Sequence, residues 1–363
     1  MKPKVQRKKL QSMQRWILVL ALLVVVLLIP ARALAGPPSP LIPASQGAAE
    51  IAKLFYLVLA IALVVFVLVE GLLVYAIFRY RRREGEDEQP EQIHGNATLE
   101  IMWTIVPAII MAVLFVMTLR TLQTMRNAPR DSYQIAVEGH QWFWIFRYGD
   151  TGVKTQNVLH LPADRAVEFT ITSADVIHSF WVPQLGGKMD AIPGHVNTTW
   201  FVPDKPGKYD GECAEFCGLQ HYAMLFDVVV EPQDQFDEWI IIEKEKLKNK
   251  VCPGEEPCKT VPDVAALPEG NADTGKTLYE SAGCKACHSL DGSPLVGPTF
   301  KGLSQRAGGR TPGESAEQYI AHSILRPCDY LAPGFPNCVM PQTFGSTLLP
   351  QELSDLIAFL MQQ

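Results

Sequence analysis

The sequence predicts a multidomain membrane protein: a two-helix transmembrane hairpin, then an all-β sandwich, then a small all-α domain. Three observations predict it. Two apolar stretches each reach the roughly 20 residues a helix needs to cross a ~30 Å hydrocarbon core. Short alternating apolar runs broken by Gly, Pro, Asn and Asp fill residues 132–230. Helix signals then flank a CxxCH motif near the C-terminal end. Composition agrees, since 363 residues suggest two or three compact units. A hydrophobic content of 48% with 19% charged residues is too apolar for a disordered chain and too polar for one lying wholly in lipid. A net charge of −6 lacks the basic footprint of nucleic-acid binding, so nucleic acid is set aside as a partner.

Residues 1–35 read as a signal peptide. Lys2, Lys4, Arg7, Lys8, Lys9 and Arg15 precede the apolar run at 16–29, and Ala33-Leu34-Ala35 supplies small residues at a cleavage spacing. Residues 36–128 form the hairpin, with helices over about Leu54–Tyr80 and Ile101–Leu119. The basic cluster Arg79-Tyr80-Arg81-Arg82-Arg83, hard against the first helix end, marks the cytoplasmic side. Everything after Leu119 is then outside, on the periplasmic face of a prokaryotic inner (plasma) membrane. Glu70 lies inside the first span and costs about 3 kcal/mol unless it meets a partner or water, so it faces another subunit or packs against its own hairpin.

Residues 129–232 form the sandwich. Runs such as YQIAVEG, AVEFTITS, TTWFVP and LFDVVVEP have the period-two alternation of half-buried strands. Within them lie Cys213, Cys217, His221 and Met224, with His178 upstream in VIHSFWVP. Two thiolates, two imidazoles and a thioether are soft ligands that suit copper or zinc rather than a hard cation. A Cys2His2 set could close a zinc tetrahedron, although Met224 has no part in one. Blue copper uses two histidines, one cysteine and a weak methionine, and this set has one cysteine more. A second thiolate on the same loop can bridge two copper ions that share an electron, which limits bond rearrangement on reduction. His140, His160 and His195 read as structural histidines, and His94 carries no signal.

Residues 233–270 hold an amphipathic helix at 234–250 and a Pro-rich connector, read as semi-extended and keeping two domains at high effective concentration. Residues 271–363 carry Cys284-Lys-Ala-Cys287-His288, the pattern for covalent haem c attachment. Two thiols add to the haem vinyl groups and the following histidine ligates iron; a redox dithiol is the alternative. ADTGKTLYESAG precedes the motif and PQELSDLIAFLMQ, with Pro350 in its first turn, closes the chain as helices. Met340 is placed to be the second axial ligand, with His322 its rival, and His/Met ligation raises the potential. Cys252 with Cys258 and Cys328 with Cys338 remain as local disulfide candidates in an exported region, each worth about 2 kcal/mol, against free thiols.

Together these motifs resemble subunit II of the cytochrome c oxidases, whose external cupredoxin domain holds the binuclear CuA centre, here with a class I cytochrome c domain fused at the C-terminus. The resemblance implies that His178, Cys213, Cys217, His221 and Met224 are copper ligands by side chain. It implies that Glu215 adds its backbone carbonyl and turns its carboxylate to a magnesium ion at the boundary with subunit I. GHQWFW at 139–144 matches the aromatic segment where electrons arrive, which singles out Trp142, and KMDAIPG at 188–194 matches interface structure. Glu100 in LEIMWTIVP matches the glutamate at the proton-path entrance, though an acid at a helix N-terminus is favourable by about 0.5 kcal/mol anyway. VGPTFKGL resembles the turn whose Pro298 carbonyl orients His288.

The implied function is that of the electron-receiving subunit of a terminal oxidase. Electrons pass from its own haem c to the copper pair and on to subunit I, where oxygen is reduced to water with proton pumping. Implied partners are subunit I, subunit III, membrane lipid and an upstream donor such as a quinol-cytochrome c reductase or a small redox protein. The rivals are the equivalent subunit of a copper-containing nitric oxide reductase, a membrane-tethered copper chaperone with a CxxxC motif, and a zinc-stabilised interaction module.

Overall fold

The computed structural model describes residues 39–81, 94–335 and 337–363. The expected signal peptide, and Arg82 and Arg83 of the basic cluster, lie outside the described residues.

Among the described residues two long helices come first, α1 (Gln46–Arg79) and α2 (Ala97–Met125). No residue of their most apolar windows is buried within this chain, as lipid-facing helices require. Both helices outrun the apolar segments that announce them. At 1.5 Å per residue the 34 residues of α1 extend about 51 Å, more than a ~30 Å hydrocarbon core needs. Part of the surplus docks on the next domain. Ser45 caps α1 by accepting from the Ala48 backbone N–H at 3.0 Å, while its hydroxyl donates to the Leu185 carbonyl at 2.5 Å. Ala44, Ala48 and Ala52 are buried there. At the end of α2, the Met125 carbonyl accepts from Trp200 Nε1 at 2.8 Å. The hairpin therefore holds the sandwich at two points.

The sandwich has ten strands. In chain order they are β1 (Tyr133–His140), β2 (Phe143–Tyr148), β3 (Lys154–Gln156), β4 (Val158–Pro162), β5 (Val167–Ser173), β6 (His178–Trp181), β7 (Met189–Ala191), β8 (Asn197–Phe201), β9 (Gly207–Cys213) and β10 (Leu225–Glu231). One sheet runs β3-β2-β1-β5-β8 and the other β4-β10-β9-β6-β7, with β1–β5 and β10–β4 parallel and the other pairs antiparallel. The alternation in β5 sets its sides: Val167, Phe169 and Ile171 are fully buried, while Glu168, Thr170 and Thr172 stand on the other face. Aromatic rings fill the space between the sheets, with Phe180 stacked on Phe226 at 5.2 Å and edge-on to Trp144 at 5.8 Å.

Helix α3 (Gln233–Leu247) packs back on the sandwich through the fully buried Phe236 and through Trp239, which stacks on His160 at 4.0 Å. His160 Nδ1 also lies 3.1 Å from Glu231 Oε2, a structural use of that histidine.

The last unit is helical: α4 (Ala272–Ser281), α5 (Cys284–Cys287), α6 (Leu303–Ala307), α7 (Ala316–Leu325), α8 (Phe344–Thr347) and α9 (Pro350–Leu360). Its own core includes Tyr279, Ile320, Leu353, Leu356 and Phe359. Helices α4 and α9 cross at Gly275, where a Cβ would fall 1.9 Å from the Asp355 carbonyl oxygen. Residues after α3 do not form the free, semi-extended spacer that Pro-rich composition suggests. Val251, Cys252, Cys258, Val261, Val264 and Leu267 all join this second core, because an apolar residue every few positions gives the segment something to bury. Disulfides join Cys252 to Cys258 and Cys328 to Cys338.

Candidate metal centre and haem cleft

The metal-ligand candidates sit where three strands of one sheet end together. His178 opens β6, Cys213 closes β9, and Met224 directly precedes β10. β9 and β10 form an antiparallel pair, and the Cys213 N–H donates to the Met224 carbonyl at 3.1 Å, closing the intervening loop on itself. Cys213 Sγ and Cys217 Sγ lie 3.8 Å apart. His178 Nδ1 is 3.9 Å from Cys213 Sγ, His221 Nδ1 is 3.6 Å from Cys217 Sγ, and Met224 Sδ is 3.7 Å from Cys217 Sγ. The ligand atoms of His178, Cys213 and Cys217 all fall within 4.8 Å of one another, in buried surroundings. Cys213 Sγ also approaches the Glu215 carbonyl oxygen at 3.2 Å, whereas the Glu215 side chain is exposed. The KMDAIPG segment forms β7, whose Ala191 is registered opposite His178.

The donor set fits a metal. A metal–thiolate bond is about 2.3 Å, so sulfurs at this separation both reach one ion between them. Hydrogen bonding from Cys217 holds the Cys213 thiol below the usual thiol range, which favours a thiolate even before a cation arrives. His178 is oriented by a neighbour the sequence reading passed over. Asp175 Oδ1 lies 2.8 Å from His178 Nε2, leaving Nδ1 turned toward the cysteines. Burial would raise Asp175, but hydrogen bonds from His178 and from the Gln141 and Val176 N–H groups hold it below the usual carboxylate range. The signal was present as Asp175-Val-Ile-His178, a carboxylate three residues before a ligand candidate. Such a carboxylate fixes the tautomer and orientation of a ligating imidazole.

Trp142 lies behind the ligand loop. Its Nε1 donates to the Cys217 carbonyl at 3.2 Å, and the Gln141 side-chain amide donates to the same oxygen at 2.7 Å. In front of the loop stands an apolar rim that the sequence reading also missed: Phe216, Leu219 and Tyr222 are 75%, 81% and 74% exposed. A cluster of large apolar side chains this exposed marks a contact surface.

The second site is a cleft whose lining includes Cys284, Cys287, His288, Phe300 and Met340. His288 is fixed for ligation. Its Nδ1–H donates to the Pro298 carbonyl at 2.8 Å, its ring stacks on Phe300 at 4.4 Å, and its carbonyl accepts from the Tyr279 hydroxyl at 2.5 Å. Burial lowers its pKa, keeping the ring neutral with the Nε2 lone pair free. Gly297 makes this close packing feasible, because a Cβ there would stand 2.5 Å from His288 Cε1. Burial pushes the Cys284 thiol up to about 12 and Cys287 up to about 11, so both stay protonated rather than acting as thiolate ligands. The cleft therefore fits a haem. His322 turns elsewhere: its ring nitrogens face Glu314 Oε1 at 2.9 Å and Asp329 Oδ2 at 3.1 Å.

The cleft is shared with the sandwich, since Gln141, Trp142 and Phe143 line it too. Glu100 stands apart at the first turn of α2, where its Oε1 accepts from the Asn96 N–H at 3.2 Å, a helix-capping contact.

The family model described as cytochrome c oxidase subunit II, transmembrane domain, matches residues 42–121. The model for the periplasmic domain of the same subunit matches 151–232, and a cytochrome c model matches 272–363. Cytochrome c oxidase subunit 2 of Alkalihalophilus pseudofirmus is 35% identical over 258 residues, covering 68% of this chain and 70% of that one. Quinol oxidase subunit 2 of Bacillus subtilis is 36% identical over 234 residues, covering 62% and 71%. The crystal structure of the periplasmic domain of subunit II of cytochrome oxidase from Bradyrhizobium japonicum is 32% identical, covers 33% of this chain and 99% of that one, and superposes with a TM-score of 0.32. The hairpin, the copper-type donor set and the haem cleft thus occur in a chain whose three segments match in that order, and this chain belongs to the cytochrome c oxidase subunit II family of the haem-copper oxidases, extended by a cytochrome c domain.

Proposed function

We propose that this chain receives electrons for a terminal oxidase: from a haem c bound by Cys284, Cys287, His288 and Met340 to a binuclear copper centre bound by His178, Cys213, Cys217, His221, Met224 and the Glu215 carbonyl, and on to subunit I, where oxygen is reduced to water with proton pumping. The observation that carries this reading is the convergence of two thiols, one imidazole and a thioether on one loop with the His178 imidazole of β6, backed by Trp142, which also borders the haem cleft. When bound, the two groups supply one-electron carriers of low reorganisation. The chain's own residues do the rest.

Asp175 orients His178, and Pro298 orients His288. Trp142 is hydrogen-bonded to the backbone of Cys217 while bordering the haem cleft, which makes it the bridge between the sites. The apolar rim of Phe216, Leu219 and Tyr222 seats the loop on subunit I, and the exposed Glu215 carboxylate offers a magnesium ligand at that boundary. The basic residues after α1 orient the hairpin with both later domains on the periplasmic face of a prokaryotic inner membrane. A haem-attachment motif and a thiolate-rich metal site favour a redox-protein donor over a quinol. Covalent attachment through two thioethers keeps the haem on the chain.

The test is copper, zinc and haem content of the full chain in detergent, made with haem-attachment machinery and loaded with copper, together with its EPR spectrum. Two coppers per haem, with the hyperfine pattern of one electron shared by two copper nuclei, are expected. Zinc, or the signal of a single copper, rejects the centre. Met340→Ala is expected to abolish the low-spin His/Met spectrum while leaving the thioether-bound haem in place; an unchanged optical spectrum would remove Met340 as ligand. Glu100→Gln keeps the cap oxygen but cannot ionise. It should slow proton uptake by the assembled complex with copper and haem spectra unchanged, and normal uptake would leave Glu100 a helix cap.

A further inference from the structure

The helical domain meets the sandwich in a defined register along β3. Gln156 Nε2 donates to the Ala282 carbonyl at 3.1 Å, two residues before Cys284, and Gln156 Oε1 accepts from the Thr343 hydroxyl at 3.5 Å. Lys154, on the same face of the strand, pairs with Glu256. Glu256 also accepts from the Ser346 hydroxyl at 2.6 Å, so its carboxylate touches both domains. The loop carrying Glu256 is closed by the Cys252–Cys258 disulfide. Backbone bonds tie that loop to the helical domain, from Cys252 N–H to the Gly345 carbonyl at 2.7 Å and from Val251 N–H to the Leu348 carbonyl at 3.0 Å. Cys287 and Val296 pack against the sandwich core beside this contact. The Lys154 side chain is only 13% exposed, so the pair is largely withdrawn from water.

We propose that Lys154, Gln156 and Glu256 are positioning residues that clamp the haem domain onto β3 and keep its cleft against Trp142. The proposal rests on the copper and haem reading above and adds to it how the two sites are held in range. A connector alone raises effective concentration but leaves each transfer to find the pose again. A step that needs one pose runs at the intrinsic rate multiplied by the population of that pose, so a clamp that keeps the population near unity removes the search. Removing Lys154 leaves the Glu256 charge partly buried without its partner, which penalises the docked pose specifically.

The experiment uses the full chain in the assembled oxidase, comparing wild type with Lys154→Met. Hydrogen exchange is read over residues 139–144 and 282–288, and the haem-to-copper transfer rate is read after flash reduction of the haem. Faster exchange in both segments and a transfer rate lower by about tenfold are expected, the rate following the docked fraction. The absorbance and midpoint potentials of both centres should not move. Exchanging the charges, Lys154→Glu with Glu256→Lys, should return exchange and rate toward wild type. If Lys154→Met does not assemble, Gln156→Ala removes two cross-domain hydrogen bonds without stranding a charge and carries the same readouts. Unchanged exchange and rate in the single variant overturn the clamp, as does a loss that the charge exchange fails to restore. A wild-type complex lacking the copper pair or the haem defeats the earlier reading instead, and the exchange data then judge the clamp alone.

Discussion

Cys217→Ser is expected to remove the copper pair altogether and to stop oxidase turnover, with the haem spectrum intact. Cys217 Sγ lies within 3.8 Å of Cys213 Sγ, His221 Nδ1 and Met224 Sδ alike, so its loss withdraws a donor that neighbours three of the others. A serine hydroxyl is harder and far less acidic than a thiol, and copper prefers soft sulfur. Losing a mere outer partner of a metal ligand costs about 10–100-fold in affinity, so losing this thiolate should cost more than that. The substitution leaves the Cys217 backbone carbonyl, and with it the hydrogen bonds from Trp142 and Gln141, in place. Copper analysis and EPR of the purified complex check the result. Two coppers with an undisturbed mixed-valence signal would show that Cys217 is not a ligand.

The second large effect is expected from Gly275→Val. At the crossing of α4 and α9 a Cβ would stand 1.9 Å from the Asp355 carbonyl oxygen and 2.8 Å from Phe359 Cβ, and most of these atoms are backbone or rooted close to it. The helices must separate, opening the core that Tyr279, Leu356 and Phe359 share. Overpacking a tight core costs about 3 kcal/mol at the upper end of the usual range, which in a domain of this size lowers the melting midpoint by about 12–24 °C. Gly309→Ala is the control, since no atom lies within 4 Å of its Cβ position, and it should change stability by no more than about 0.5 kcal/mol. The measurement is thermal loss of the haem absorbance in the full chain. Equal midpoints for the two variants would remove the crossing as a determinant of the fold.

Much of the architecture was legible because it rests on local patterns. The alternation of Val167, Phe169 and Ile171 gives a strand, two long apolar runs give a hairpin, and CAEFCGLQHYAM keeps four donors within twelve residues of one loop. His178 was legible as a second imidazole upstream of the loop, although nothing local says that β6 opens beside the end of β9. What stayed hidden has one physical character: contacts between segments far apart in the chain that involve ordinary residue types. Lys154 and Glu256 are unremarkable charges in sequence and become a pair only when two domains close. Asp175 is a common turn residue until it faces His178 Nε2. The connector was misjudged because proline content describes stiffness, whereas its valines and leucines decide whether it packs.

The docking of α1 on the sandwich has a consequence for biogenesis. Ala44 belongs to the sandwich core, its N–H donates to the Gln184 carbonyl at 2.8 Å, and its own carbonyl accepts from the Asp204 N–H at 3.0 Å. This residue precedes both spans, while the rest of that core is synthesised after them. The extramembrane fold is therefore complete only when the chain has crossed the bilayer and come back, bringing both ends of the hairpin to one side. Correct insertion is thus coupled to the last contacts that close the core. A fragment cut after α2 would carry a notch at Gln184 and Leu185, where Ala44 and Ser45 at the entry to the first helix belong.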